Sequence, residues 1–352
     1  MKTRIIALYF IVIFTCSVSM AQFRFGGDAD TQYGPRRGES IEQVWRTGLK
    51  VLPGAQLENV SAMLPIPMDW PEQEVLGIEE EKLDASMTGG VRYDMVDAGA
   101  REAVLRLGRI RPHRQVEIVL NVRLRNYELL PPSNPDDYVL LAKVPPLLQP
   151  YIRKGPYIEC HERVFKTMFH EITKDKQSAW DKVEAIYSFV QNNVKYDEAQ
   201  KFRGTPKGAL ALTKMPEGQW DGDCKDMSCL FVAICRAGNI PARIVRVPEH
   251  CYAEFYLELR SDLAAPILAE NKKLGPKEKK KPTGFWFPCQ VSGSYFFGGI
   301  PERQPILQKG DSYPDRDKGG KTKKLFLVEC FEGTAYGEVP PKPVWIREVK
   351  EK

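Results

Sequence analysis

The apolar spacing changes twice along this chain. Between positions 60 and 127 it is mostly two. Val116, Ile118, Leu120, Val122 and Leu124 alternate with Glu117, Val119, Asn121, Arg123 and Arg125. Apart from Val119, that spacing gives one apolar and one wet face, as in a strand buried on one side. Ala103, Val104, Leu105 and Leu107 mark a shorter strand before it. Pro131, Pro132 and Pro135, with Asn134 and Asp136, end the region. A small β-sandwich is the expected result. After Pro150 the spacing becomes that of helices. Val164, Phe165, Met168, Phe169 and Ile172 form one stripe, and Val183, Ile186, Tyr187, Val190 and Val194 form another. Ser178 is placed to cap the second helix, with Asp181 three residues on. A third helix starts near Cys224, carries Leu230, Phe231, Ala233 and Ile234, and is stopped by Gly238 and Pro241. Strand spacing then returns at 244–247, 252–259, 285–287 and 325–331. Helices followed by antiparallel strands predict an α+β second domain. No internal repeat is present.

The ends and the charge refine this division. Lys2 and Arg4 precede an apolar run from Ile5 to Phe14, and Ser19-Met20-Ala21 is a small-x-small cleavage site. The run is too short to span a bilayer, so 1–21 reads as a signal peptide and the mature chain as secreted or periplasmic. Cys16 lacks the small residues that lipid attachment wants before it. No later segment is long and apolar enough to cross a membrane. Residues 22–59 are expected to form a flexible lead-in, 60–148 the β domain, and 149–352 the α+β domain with a C-terminal β extension. Of the formal charge of +5, Lys2 and Arg4 supply two, leaving +3. That balance leaves no footprint for nucleic acid. The basic run at 272–281 contains Gly and Pro without apolar periodicity and reads as a solvated loop. Beyond Cys16 lie Cys160, Cys224, Cys229, Cys235, Cys251, Cys289 and Cys330. An odd number in a compartment that permits disulfides leaves at least one thiol without a partner in the same chain.

Four histidines are available as a general base: His113, His161, His170 and His250. His113 sits in a Pro/Arg turn. His161 and His170 lie on opposite sides of the first helix and are expected to be structural. His250 falls at a loop-to-strand junction, where a ring can face a cleft. Cys224 follows Trp220-Asp221-Gly222-Asp223 at a helix start. Free backbone N–H groups and the positive end of the helix dipole favour a thiolate there. Asp223 and Asp226 oppose it, because nearby carboxylates disfavour a second negative charge. Cys229 and Cys235 fall among apolar residues and read as core or disulfide cysteines. Cys251 should point away from His250 on its strand, which would leave it out of the site. Cys224 could equally be an ordinary buried or bridged cysteine on this local chemistry. Metal-ligand spacing is absent, so no zinc is expected.

The run Gly222–Val245, GDCKDMSCLFVAICRAGNIPARIV, resembles the core signature of the transglutaminase-like superfamily. Asn239 stands where that family's turn usually carries glycine. His250-Cys251-Tyr252-Ala253-Glu254-Phe255-Tyr256 is similar to its H-x-W-x-E-x-Y strand, with Tyr252 in place of Trp. The resemblance covers about residues 150–300 and includes the preceding helix, with Tyr196 near its close. It implies a papain-like core of helices packed on an antiparallel sheet, with Cys224 as nucleophile and His250 as base. The family's acid aligns with Gln290 in Trp286-Phe287-Pro288-Cys289-Gln290. A glutamine carbonyl can hold the imidazole N–H but supplies no charge. Asp262 is a rival in a loop that follows His250 too soon.

Two classes of function follow from the resemblance. One is a thiol enzyme acting on amide bonds of protein or peptide substrates through a Cys224 thioester, by acyl transfer or by hydrolysis. The other is a binding or structural protein that keeps the fold without turnover, as the neutral Gln290 would allow. No cofactor is implied, and no carboxylate loop has calcium-site spacing. Trp220, Tyr252 and Trp286 suit either a peptide-lined cleft or a core. The insertion at 262–282 is expected to cover or flank the cleft. Gly320-Lys321-Thr322 fails as a phosphate loop, because Asp315 stands where its first glycine belongs.

Overall fold

The computed structural model describes residues 32–97, 99–200, 204–216, 218–275, 278, 280–314, 324–326, 328–335 and 342–351. The signal-peptide segment, Cys16 and Gly320-Lys321-Thr322 lie outside them. Six strands come first: β1 Arg36–Val51, β2 Leu57–Ile66, β3 Gln73–Lys82, β4 Arg92–Asp97, β5 Ala100–Leu107 and β6 Val116–Leu130. The alternation in β6 is realised as read. Val116, Ile118, Leu120, Val122 and Leu124 are all fully buried. They meet Trp45 and Leu49 of β1 and Leu57, Ala62, Leu64, Ala103 and Leu105 of the facing sheet in one core. This is the expected sandwich.

The middle of the chain adds β7 Tyr138–Val139, α1 Arg163–Thr173, α2 Ala179–Asn193, β8 Lys195–Tyr196, α3 Ala209–Thr213, β9 Asp221–Gly222 and α4 Cys224–Ala237. Ser178 caps α2, its hydroxyl accepting from the Asp181 N–H. β10 Ala242–Val247, β11 His250–Leu259, α5 Ser261–Asn271, β12 Gly284–Gln290, β13 Phe296–Phe297 and β14 Gln308–Lys309 follow. They form an antiparallel sheet in the order β13-β12-β11-β10-β14, with β7 also on β11. Helix α4 is buried along Cys224–Arg236, and Leu230, Phe231 and Ile234 pack with Phe255, Phe287 and the α1 and α2 stripes. The turn after α4 uses Asn239 at φ 59°, a left-handed backbone that asparagine tolerates. The closing strands are β15 Tyr313–Pro314, β16 Lys324–Leu325, β17 Cys330–Ala335 and β18 Val344–Glu351.

Two expectations need correction. The lead-in assigned to 22–59 contains a strand of 16 residues, β1, which pairs with β6 along almost its whole length. Its Glu42, Arg46 and Lys50 lie on the other face, and the polar Gln43 and Thr47 within the buried face hide the alternation with Trp45, Leu49 and Val51. The sandwich also recruits the C-terminus. The sheet orders are β18-β1-β6-β3 and β17-β2-β5-β4, so β17 and β18 close one edge of each layer. The second correction concerns the insertion at 262–282. Strand β11 runs from His250 to Leu259 before α5 begins. At about 3.3 Å per residue, α5 joins the strand about 30 Å from His250, at the opposite end.

The sandwich and the α+β core meet through buried charge. Lys309 Nζ reaches Glu72 Oε1 at 2.5 Å and Glu254 Oε1 at 2.6 Å. Glu254 Oε2 accepts from Arg243 Nε at 2.6 Å, and the Arg243 guanidinium lies 4.0 Å from the Trp286 ring centroid. Burial pushes the Glu254 carboxyl up, but Arg243 and Lys309 outweigh it and hold it below its ordinary value. Substituting Lys309→Met would leave Glu254 with Arg243 alone and strip the buried Glu72 of its lysine. It should lower stability by about 3–5 kcal/mol, read as a drop in the denaturant midpoint at unchanged m-value. An unchanged midpoint would mean that these carboxylates do not depend on Lys309.

Candidate functional site

Cys224 is the first residue of α4 and is 2% exposed. Asp223 is its N-cap, accepting from the Lys225 and Asp226 N–H groups, while the Asp226 carboxylate takes the Asp223 N–H. This capping box leaves the Cys224 N–H outside it, at the positive end of the helix. The two carboxylates that should oppose a thiolate are both accounted for. Asp223 forms a buried ion pair with Lys225. Burial, then the neighbouring Asp223, raises the Asp226 carboxyl, which also accepts the Lys207 N–H at 2.5 Å. Parallel pairing of Lys195–Tyr196 with Asp221–Gly222 fixes the approach to the helix.

His250 opens β11 directly after the turn at Glu249, whose φ is 56°. Even-numbered residues of β11 and β12 share one face, as the Glu254↔Pro288 pair fixes. His250, Tyr252 and Gln290 therefore face the same way. His250 Nε2 lies 3.2 Å from Gln290 Oε1. Gln290 Nε2 donates to Glu302 Oε1 at 3.4 Å. A carboxylate only accepts, so the amide nitrogen must face Glu302 and the amide oxygen must face the ring. Gln290 is thus an acceptor for an Nε2–H, which leaves Nδ1 to exchange a proton with sulfur. His250 lies near enough to Cys224 to help hold its thiol below the ordinary value.

The structure brings Cys224, His250 and Gln290 together and adds Cys251, which the sequence reading had left out. Cys251 and His250 do point to opposite faces. At the first residues of a strand, however, a helix terminus can meet both. The Cys251 Sγ lies 3.8 Å from Ser228 Oγ, one turn along α4 from Cys224. The Cys224 thiol is pushed well below its ordinary value, first by hydrogen bonding from Cys251 and then by His250, against the cost of burial. Burial, and then the adjacent Cys224, drives the Cys251 thiol the other way. The two thiols are thus driven in opposite directions, Cys224 down and Cys251 up.

The remaining candidates fall elsewhere. His113, His161 and His170 are exposed. Asp262 lies on α5, at the far end of β11, and pairs with Arg260. Cys160, Cys229, Cys235 and Cys289 are thiols in the core, each raised by burial. Trp220 packs on Phe189 and Trp286 on Arg243. Tyr252, by contrast, lines a small cavity with His250, Gln290 and Glu302. Glu302 escaped the sequence reading because it belongs to no strand, helix or motif. Among the described residues, no group of three or more His, Cys, Asp or Glu side chains is arranged to hold a metal.

Residues 166–267 match the sequence model of the transglutaminase-like superfamily, and the chain carries a transglutaminase-like domain there. The matched segment includes α4, Cys224 and His250. An uncharacterised protein of Haemophilus influenzae is 22% identical over 336 residues, covering 80% of this chain and 87% of its own. The crystal structure of a candidate cysteine protease from Cytophaga hutchinsonii shares the fold with a TM-score of 0.54 at 12% identity. That match covers 90% of this chain and all of the other.

The sulfur pair makes a direct prediction. Cys251→Ala removes the strongest influence lowering the Cys224 pKa, so that pKa should rise. Alkylation of Cys224 by iodoacetamide at pH ~5, relative to its rate at pH ~8, should then fall by about tenfold or more. An unchanged ratio would remove Cys251 from the site.

Proposed function

We propose that this protein is a thiol enzyme that acts on amide bonds of protein or peptide substrates. Its support is the Cys224 thiol at the start of α4, lowered by Cys251 and by His250, whose Nε2 is 3.2 Å from Gln290 Oε1. In this reading Cys224 attacks the amide carbonyl, and the negative oxygen that forms is met by N–H groups at the start of α4. His250 gives its proton to the departing amine or ammonia, and Cys224 is left as a thioester. Water, or a second amine, then gives a proton to His250 and takes the acyl group. Gln290 keeps the ring turned so that Nδ1 faces sulfur. A neutral amide can fill this place, as it does in papain-like Cys-His-Asn sites. The apolar run and small-x-small site within 1–21 support export of the chain, with catalysis outside the cytoplasm.

A second reading, a binding protein that keeps the fold, draws support from the 2% exposure of Cys224. Alkylation of the native protein, mapped by peptide mass across pH ~4 to ~9, separates the two. The enzyme reading expects selective modification of Cys224 with a rate that stays level through pH ~5. A His250→Ala variant should lose that acid plateau. A wild-type Cys224 whose rate climbs tenfold per pH unit up to pH ~8, as for an ordinary thiol, would overturn it.

A further inference from the structure

Glu302 is the group near the site that neither the resemblance nor the proposed reaction uses. One carboxylate oxygen accepts from Gln290 Nε2 at 3.4 Å. The other is buried and has no hydrogen-bond partner among the described residues. An acceptor kept in that condition costs stability, which calls for a reason other than folding. The segment that carries it is held by the sandwich. Ile300 bridges Leu129 of β6, with hydrogen bonds of 2.7 and 2.9 Å. Gln43 Nε2 donates to the Arg303 carbonyl, and Asn126 Nδ2 donates to the Gln304 carbonyl at 3.0 Å. Gln73 closes the stretch, accepting the Ile306 N–H at 2.6 Å and donating to the Ile306 carbonyl at 3.1 Å. Gln43, Asn126 and Gln73 are buried side chains on three adjacent strands, linked to one another at 3.1 and 2.8 Å.

We infer that Glu302 is a positioning residue for the thiol site: it fixes the Gln290 amide with its oxygen on His250 and supplies, one residue removed, the negative charge that Gln290 lacks. This rests on the reading of Cys224, His250 and Gln290 proposed above. An unanchored glutamine amide can present either end to an imidazole, and only one end accepts a proton. A carboxylate behind the amide removes that ambiguity and polarises the amide toward the ring. The other ionisable groups around the ring do not duplicate this. Cys224 and Cys251 lie on the helix side, and Glu249 precedes the ring in the turn. Tyr127, Tyr252 and Glu72 line the cavity beside it, and Glu72 is committed to Lys309. The sandwich thereby acts on the site through Glu302 without touching sulfur.

The test is the imidazole titration of His250, followed by NMR in wild type, Glu302→Gln and Glu302→Asp. Losing the charge at 302 should lower the His250 pKa by about half to one unit and narrow the paired thiolate–imidazolium range from its alkaline side. Glu302→Asp should restore part of the shift. In a Gln290→Ala background the Glu302→Gln shift should shrink by at least half, since the two side chains act in series. A folded Glu302→Gln protein with an unmoved His250 titration overturns the inference, as does an equal shift without Gln290. These outcomes differ from failure of the functional reading, which appears in wild type alone as a Cys224 without acid-side reactivity.

Discussion

An amide side chain has one end that accepts a proton and one that gives it. At position 290 the choice of end decides what the imidazole can do. With the nitrogen committed to Glu302, only the oxygen can meet His250, and the ring must offer Nε2–H to it. Nδ1 is then the nitrogen left for the proton exchange proposed at Cys224. The direction of proton exchange at the sulfur follows from a hydrogen bond two residues away. The site is a chain of dependencies running from the sandwich through Glu302, Gln290 and His250 to Cys224.

That ordering gives a role to the polar groups that join the two halves beside the apolar cluster of Trp70, Leu129, Val245, Val247, Tyr252, Ile300 and Ile306. An apolar joint would be cheaper, since buried charge costs desolvation before it gains attraction. Lys309 between Glu72 and Glu254, and the amides of Gln43, Asn126 and Gln73, instead specify direction and register. They hold the segment around Glu302 at a defined place relative to β11 and β12. The helix side supplies the other half of the site. Asp223 and Asp226 shape the first turn of α4, and Lys225 offsets the charge of Asp223 beside the sulfur.

Much of this was legible in the sequence where a feature is local. The period of two in β6, the Ser178 cap of α2, the start of α4 at Cys224 and the left-handed turn at Asn239 all depend on residues within a few positions of one another. His250 and Gln290 could be found because their surroundings resemble a known family. What could not be read depends on distant partners. β1 is a strand because β6 and β18 flank it, and the polar Gln43 and Thr47 within its buried face hide the pattern. Cys251 joins the site because a helix end meets the strand from its other face, which alternation alone does not reveal. Helix α5, at the start of the insertion, lies away from the site because strand β11 carries the chain the full length of the sheet first. Glu302 has no local signal, and its place is set by side chains from three strands of the sandwich.

The central claim is that Cys224 in the folded protein carries negative charge well below the pH at which an ordinary thiol ionises. The thiolate absorbs in the ultraviolet where the thiol does not. A pH titration of the difference spectrum between wild type and Cys224→Ser therefore reads that charge without any reagent. The account predicts thiolate absorbance already present at pH ~5 and lost only at lower pH. An absorbance that appears only above pH ~8, as for an unperturbed thiol, would contradict it.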